Sequence, residues 1–368
     1  MPHVGTASPR PHVLTAARVL HRSSGGRYRA GIGTTRLPQL IVGAATYRRT
    51  MTGSPSTART ARSDVRRSID DLVTDAQRYR HSADFRELLE FMARFRRQKP
   101  FNALLLHAQR PGARFVAPAH RWREKYERQV RPGETPLVAL QPFGPVMFVY
   151  DVSQTEPMGD QAIPDRFANA FAMPPITGVE KALPRLVENA KVDGVRVSHG
   201  TAGASHAGRI SEVIEGRTQD VVVDRRLLTT VPVPVRYELV VNRDHSPTEQ
   251  LATVAHELGH LYCGHLGTPD PTWWPDRRRT SLNEREFEAE TVAYLVCQRV
   301  DEHAKLPPYL DGFLEHHDTV PQGISLDVIT KAAGMVIELL DSWAKPRKSG
   351  REVATVHGHR RHDVVGAQ

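Results

Sequence analysis

The sequence predicts an α+β fold in two domains with disordered tails at both ends. Three observations carry this expectation. Helix-spaced and strand-like apolar runs occur in both halves, a connector containing Pro and Gly (157–178) interrupts them, and residues 1–63 and 346–368 show no apolar periodicity. The expected units are a disordered basic arm (1–63), a small α+β domain (64–160), a larger α+β domain (176–345) and a polar tail (346–368). At 368 residues, 39% hydrophobic and 25% charged, the chain has the length and polarity of two ordinary soluble domains.

The first 63 residues hold ten arginines, no lysine and no acidic residue, and too little apolar surface to offset the entropy of ordering. They account for the formal charge of +9. Such a segment fits a flexible basic arm, an organellar transit sequence or a start at Met51 equally well. Its longest apolar run, Leu37 to Ala45, is half the length of a membrane-spanning helix, so no membrane association is expected. Two cysteines, Cys263 and Cys297, are too few for a disulfide framework. Each lies in an apolar segment, which points to buried thiols in a reducing compartment, the cytoplasm.

From Ser68 the pattern becomes globular. Phe85, Leu88, Leu89, Met92 and Phe95 recur at helical spacing behind a cap at Ser82 and stop before Pro100; FNALLLHAQ (101–109) forms a second helix ended by Pro111 and Gly112. ARFVAP, PLVALQPF and VMFVYDV read as short strands. Beyond the connector come a helix over 179–190 and the strands VRVSH, GRISEV, DVVVD and YELVVN. Helices over 284–301 and 326–343 follow further on. A second basic concentration lies at 94–131, with eleven Arg or Lys against Glu124 and Glu127. There Arg94, Arg96, Arg97, Lys99, Arg121 and Arg123 interleave with aromatic residues including Trp122. Single-stranded nucleic acid is held by that combination of phosphate neutralisation and stacking; a solvated face beside a core of Phe95 and Phe101 is the competing reading.

The chemistry concentrates at 253–265, TVAHELGHLYCGH. Ser246, Pro247 and Glu249 supply an N-cap, a first-turn proline and a capping-box glutamate, so a helix starts at 247. His256 and His260 then share one face, close enough to hold one metal ion, with Glu257 beside them: the HExxH arrangement, two zinc imidazoles and a general base. A third ligand is expected from NEREFEAETVAYLVC. Ser281 and Glu284 form a capping box there, Glu286, Ala289, Glu290, Ala293 and Cys297 share a stripe, and Glu288 turns away from it. In the gluzincin pattern a ligand glutamate precedes by four residues an acid that hydrogen-bonds a zinc histidine. This assigns Glu286 as ligand and Glu290 as the orienting acid, although the reverse is compatible with the same helix. Tyr262, Tyr294 and His265 are the candidates for an oxyanion donor. A packed thiol is the reading for Cys263, a cap or core role the reading for His265, and Trp273, Trp274 and Arg277 to Arg279 fall in a loop between the two metal helices.

HELGHLYCGH followed by REFEAETVAYLVC resembles the ImmA/IrrE-like zincin metallopeptidases. LLEFMARF, FNALLLHAQRPGA, HRWREKYERQVRPGE and YDVSQTE resemble the single-stranded-DNA-binding domain of ArdC-type antirestriction proteins. The resemblance covers roughly residues 80 to 345. It implies a small ssDNA-binding domain followed by a zincin-like metallopeptidase domain with one Zn2+, a protein or peptide substrate and single-stranded DNA as partners. Two alternatives remain: a non-enzymatic ssDNA-binding antirestriction factor with a structural or vestigial metal site, and a protein-interaction module without metal.

Overall fold

The computed structural model describes residues 79–141, 146–159, 178–200, 207–214, 216–224 and 226–347. The expected basic arm and most of the connector lie outside them. No helix of the described residues is long and apolar enough to cross a membrane.

Helix α1 (Ser82–Arg94) forms because Phe85, Leu88, Leu89 and Met92 make one apolar stripe, all of it buried. Its N-cap is His81, in extended conformation and without a side-chain cap bond, so Ser82 is the first helical residue rather than the expected cap. Helix α2 (Pro100–Gln109) opens with a proline whose fixed φ suits the first turn. Strands β1 (Val116–Ala117), β2 (Arg128–Val130), β3 (Leu137–Ala139), β4 (Met147–Asp151) and β5 (Thr155–Pro157) follow, with helix α3 (Ala119–Tyr126) between β1 and β2. They pair as a three-stranded sheet, β1-β4-β3, and a two-stranded β2-β5 ribbon. The outer edge of β3 meets side-chain amides of α2 instead of another strand. Asn102 exchanges hydrogen bonds with Leu140 (3.1 and 2.9 Å) and Gln109 with Val138 (2.9 and 2.8 Å), which satisfies backbone groups of an edge that no described strand pairs with.

The second half opens with helix α4 (Val179–Ala190) and continues through β6 (Val195–Gly200), β7 (Gly208–Glu212), β8 (Thr218–Asp224), β9 (Thr229–Pro234) and β10 (Tyr237–Asn242). Helices α5 (Pro247–Tyr262), α6 (Leu282–Val300), α7 (Pro308–His316) and α8 (Leu326–Asp341) complete it. β10 is central in a three-stranded sheet, parallel to β6 and antiparallel to β7, while β8 and β9 form a separate hairpin. Helices α4 and α5 pack together, α5 lies against β7 and β10, and α6 lies against α5. The capping boxes at Ser246/Glu249 and Ser281/Glu284 are both formed.

Five elements were not expected from the sequence, among them the short strands β2 and β5. Helix α3 has a single buried anchor, Trp122, on an otherwise charged octapeptide; β9 carries two prolines tolerable only in an unflanked ribbon; α7 is short and begins at a Pro-Pro pair. Arg347, expected in a solvated tail, instead folds back and pairs with buried Asp193 at 2.7 Å.

One apolar core runs through both halves. Phe85 of α1 meets Phe287 of α6 at 5.1 Å between ring centroids, and α2 packs on α8. Ion pairs reinforce the contact: Arg96 with Glu302 at 2.5 Å and Lys99 with Glu338 at 2.6 Å.

Candidate metal centre

The site is built where α5 and α6 touch. Gly259, between the two histidines, lets α6 approach: a Cβ there would stand 3.1 Å from the Ala289 Cα and 3.2 Å from its carbonyl oxygen, so a larger residue would push the helices apart. That close approach brings Glu286 of α6 to the histidines of α5. His256 Nε2 and His260 Nε2 are 3.1 Å apart, and the Glu286 carboxylate oxygens lie 3.5 Å from each. A tetrahedral ion with bonds of about 2.0 to 2.1 Å separates its ligands by roughly 3.3 Å, so these three donors fit one zinc-sized cation. Glu290, one turn along α6, sits 3.6 Å from His256 Nδ1, on the ring edge opposite Nε2.

Electrostatics point the same way. Glu257, Glu286 and Glu290 surround two imidazoles, an excess of negative charge that a bound cation would offset. Burial lowers the His256 pKa, but Glu286, Glu290 and Glu257 outweigh it and the net shift is upward; His260 is pulled down, chiefly by burial. Burial alone would raise Glu286, yet hydrogen bonding to both histidines drives it far below the ordinary carboxylate range. Glu257 and Glu290 are raised, burial being the main cause in each.

Glu257 is buried and lines a cleft of about 960 Å³, where the nearby Ile210 backbone favours its charged form against the burial. The cleft wall includes β7 residues Gly208 to Ile210, on a strand that pairs only with β10 among the described residues, and apolar groups of α6 and the segment after it, including Ala293, Val300 and Leu306.

Of the oxyanion candidates, Tyr262 is fully buried and donates to Asp193 at 2.7 Å, away from the cleft. Tyr294 and His265 both line the cleft, the His265 Nδ1 lying 2.9 Å from that of His260. Tyr309 of α7 escaped sequence reasoning: its phenol is raised by burial and then by the charges of Glu286 and Glu290, so it shares their field. No spacing rule links it to the HExxH helix, because α7 is placed by packing alone. Cys263 is buried and its thiol pushed up by burial, as a packed thiol should be. Trp274 is buried and bonds the Gly267 carbonyl, so the loop between the metal helices is folded.

Glu288 is the largest departure from expectation. It turns away from the metal stripe, as its helical position requires, but into the interior, fully buried and bonded to His265 and Arg277.

The basic stretch does not form a single face. Trp122 is fully buried, its indole N–H donating to the Tyr150 carbonyl at 2.9 Å, so it offers no stacking platform. Arg96 is buried against Glu302, and Lys99 pairs with Glu338. Arg94, Arg97, Arg121 and Arg123 are exposed, Arg94 lying over the Phe91 ring. Nothing found supports an ArdC-type ssDNA-binding domain.

No curated protein and no solved structure matches the chain. Among protein families, residues 212–306, from the end of β7 to the segment after α6, match Peptidase M78, the IrrE N-terminal-like domain, so the C-terminal half carries an IrrE/ImmA-like peptidase domain.

Proposed function

We propose that the protein is a zinc-dependent metallopeptidase in which His256, His260 and Glu286 hold one Zn2+, Glu290 orients His256 and Glu257 is the general base. The observation that carries this reading is the trio of donor atoms at tetrahedral spacing beside a buried carboxylate lining an open cleft. Three protein ligands leave a coordination position for solvent, whereas a structural zinc site has four.

Zinc held by these three residues would supply Lewis acidity toward a water and a substrate carbonyl. Glu257 is placed to accept a proton from water and to deliver it to the departing amine nitrogen. Its burial favours this, since a carboxylate raised above its usual range is a stronger base. The edge of β7 that no described strand pairs with borders the cleft, so an extended peptide would add to it as a strand, its side chains meeting the apolar wall of α6. Both cysteines are free thiols, which accords with a cytoplasmic setting.

Metal content tests the reading. Purified wild type is expected to carry one zinc per chain, Glu286→Ala to lose it, and Glu290→Ala to bind it more weakly; the reverse order would make Glu290 the ligand. A wild type without zinc would end the peptidase reading.

Single-stranded DNA binding is the second reading, resting on exposed Arg94, Arg97, Arg121 and Arg123. With the tryptophan buried, contact is expected through phosphates alone. Reversing the charge of Arg121 and Arg123 should then reduce the salt dependence of oligonucleotide binding by about two phosphate contacts. Binding that persists unchanged would exclude these residues.

A further inference from the structure

We infer that a buried hydrogen-bonded relay, from Glu288 through His265 to His260, fixes the ring orientation and tautomer of His260, with Arg277 anchoring its far end. The inference rests on the metal site proposed above and assigns positioning roles to three residues outside it.

The relay is assembled by the way α5 ends. Gly264 follows the helix with φ +80, a left-handed conformation that favours glycine. His265 N–H bonds the His260 carbonyl and Gly264 N–H bonds that of Leu261, each at 3.0 Å, closing a Schellman turn. The turn brings His265 back over the helix it has just left, its ring centroid 5.2 Å from that of His260. Gly264 has a second reason to lack a side chain: a Cβ would collide with the Pro275 carbonyl oxygen. The same close approach lets Arg277 N–H bond the Gly264 carbonyl at 2.8 Å, which places Arg277 next to the relay.

With a metal on His260 Nε2, the contacts admit one proton arrangement. His260 Nδ1 and His265 Nδ1 are 2.9 Å apart, so one of them carries the proton and the other accepts it. If His260 presents the lone pair of Nε2 to a metal, its Nδ1 must be the donor. His265 Nδ1 then accepts, and the His265 proton resides on Nε2, 2.9 Å from Glu288 Oε2. Glu288 can only accept, and every group facing it can donate: His265 Nε2–H, the Arg277 guanidinium at 2.5 and 2.8 Å, and the Ser325 backbone N–H at 2.7 Å. The opposite arrangement would place a proton on His260 Nε2, the atom facing His256 and Glu286, and would abolish its capacity as a ligand. Both His265 and Glu288 are buried, so no solvent competes for these bonds.

Cys263, His265 and Glu288 also lie close enough together to suggest a second cation site. Arg277 argues against it. Its guanidinium already neutralises the carboxylate in a two-bond clamp, and the thiol beside it is held in its protonated form by burial.

Partners of this kind change metal affinity by about 10- to 100-fold when removed. The experiment is chelator competition for zinc with the full-length chain, comparing wild type, His265→Ala and His265→Gln, together with nitrogen NMR of histidine-labelled, zinc-loaded wild type. His265→Ala should weaken zinc about 10- to 100-fold, and His265→Gln, whose amide oxygen can accept from His260, should recover part of the loss. The wild-type spectrum should show His265 protonated on Nε2 and bare on Nδ1. Zinc affinity within about twofold of wild type in folded His265→Ala overturns the relay, as does a His265 protonated on Nδ1. The spectrum needs no variant, so a poorly folded substitution does not blunt the test. If wild type binds no zinc, the metal centre and the relay fall together; if it binds zinc and His265→Ala binds it equally well, the relay alone falls.

Discussion

A Glu257→Gln protein is expected to keep its zinc and its fold while hydrolysing peptides at least about 100-fold more slowly, the low end of what a positioned general base contributes. Glutamine preserves the shape of the side chain and retains an acceptor oxygen. It removes only the capacity to take up and return a proton. Because Glu257 is buried among other carboxylates, neutralising it also relieves repulsion, so thermal stability should hold or rise slightly. The check is a peptide mixture read by mass spectrometry beside metal analysis of the same samples. Equal cleavage by the two proteins would place the chemistry elsewhere, and loss of zinc in the variant would mean that Glu257 is a ligand.

The largest expected effect on stability belongs to Glu288. Glu288→Ala should cost about 3 to 5 kcal/mol, because it leaves the half-buried Arg277 charge and the buried His265 ring without their carboxylate partner. Urea unfolding of wild type and variant at neutral pH measures this. The pH dependence provides a second check. Burial alone would raise the Glu288 carboxyl, but hydrogen bonds from His265 and Arg277 and the charge of Arg277 hold it below its usual value. A carboxyl depressed in the folded state stabilises fully above its unfolded pKa, and that contribution is lost as pH falls through the folded value. The gap between wild type and variant should therefore be full at neutral pH and close in strong acid. A gap below about 1 kcal/mol at neutral pH would show that solvent reaches the cluster after substitution.

Much of the geometry of the candidate metal centre was legible because it depends on local rules. The two capping boxes set the phase of α5 and α6, and four-residue spacing then put His256 with His260 and Glu286 with Glu290. Helical phase also placed Glu288 off the metal stripe. It could not say what lies on the other side, because α6 is wedged between α5 and the 323–325 segment, and that segment arrives by tertiary packing. The arginine-rich stretch misleads for a related reason. The acids that pair with Arg96 and Lys99, Glu302 and Glu338, lie some two hundred residues further along the chain. Trp122 is the single apolar anchor of a charged helix, so it is drawn inward, where a composition of aromatics among arginines reads as a stacking surface.

The Phe85 to Phe287 contact decides how this protein can be dissected. A truncation that begins at residue 178 would strip α1 and α2 from the backs of α6 and α8 and lay bare greasy surface with nothing to cover it. Such a fragment is expected to aggregate. What looks on paper like a detachable peptidase-like domain shares its interior with the segment that precedes it.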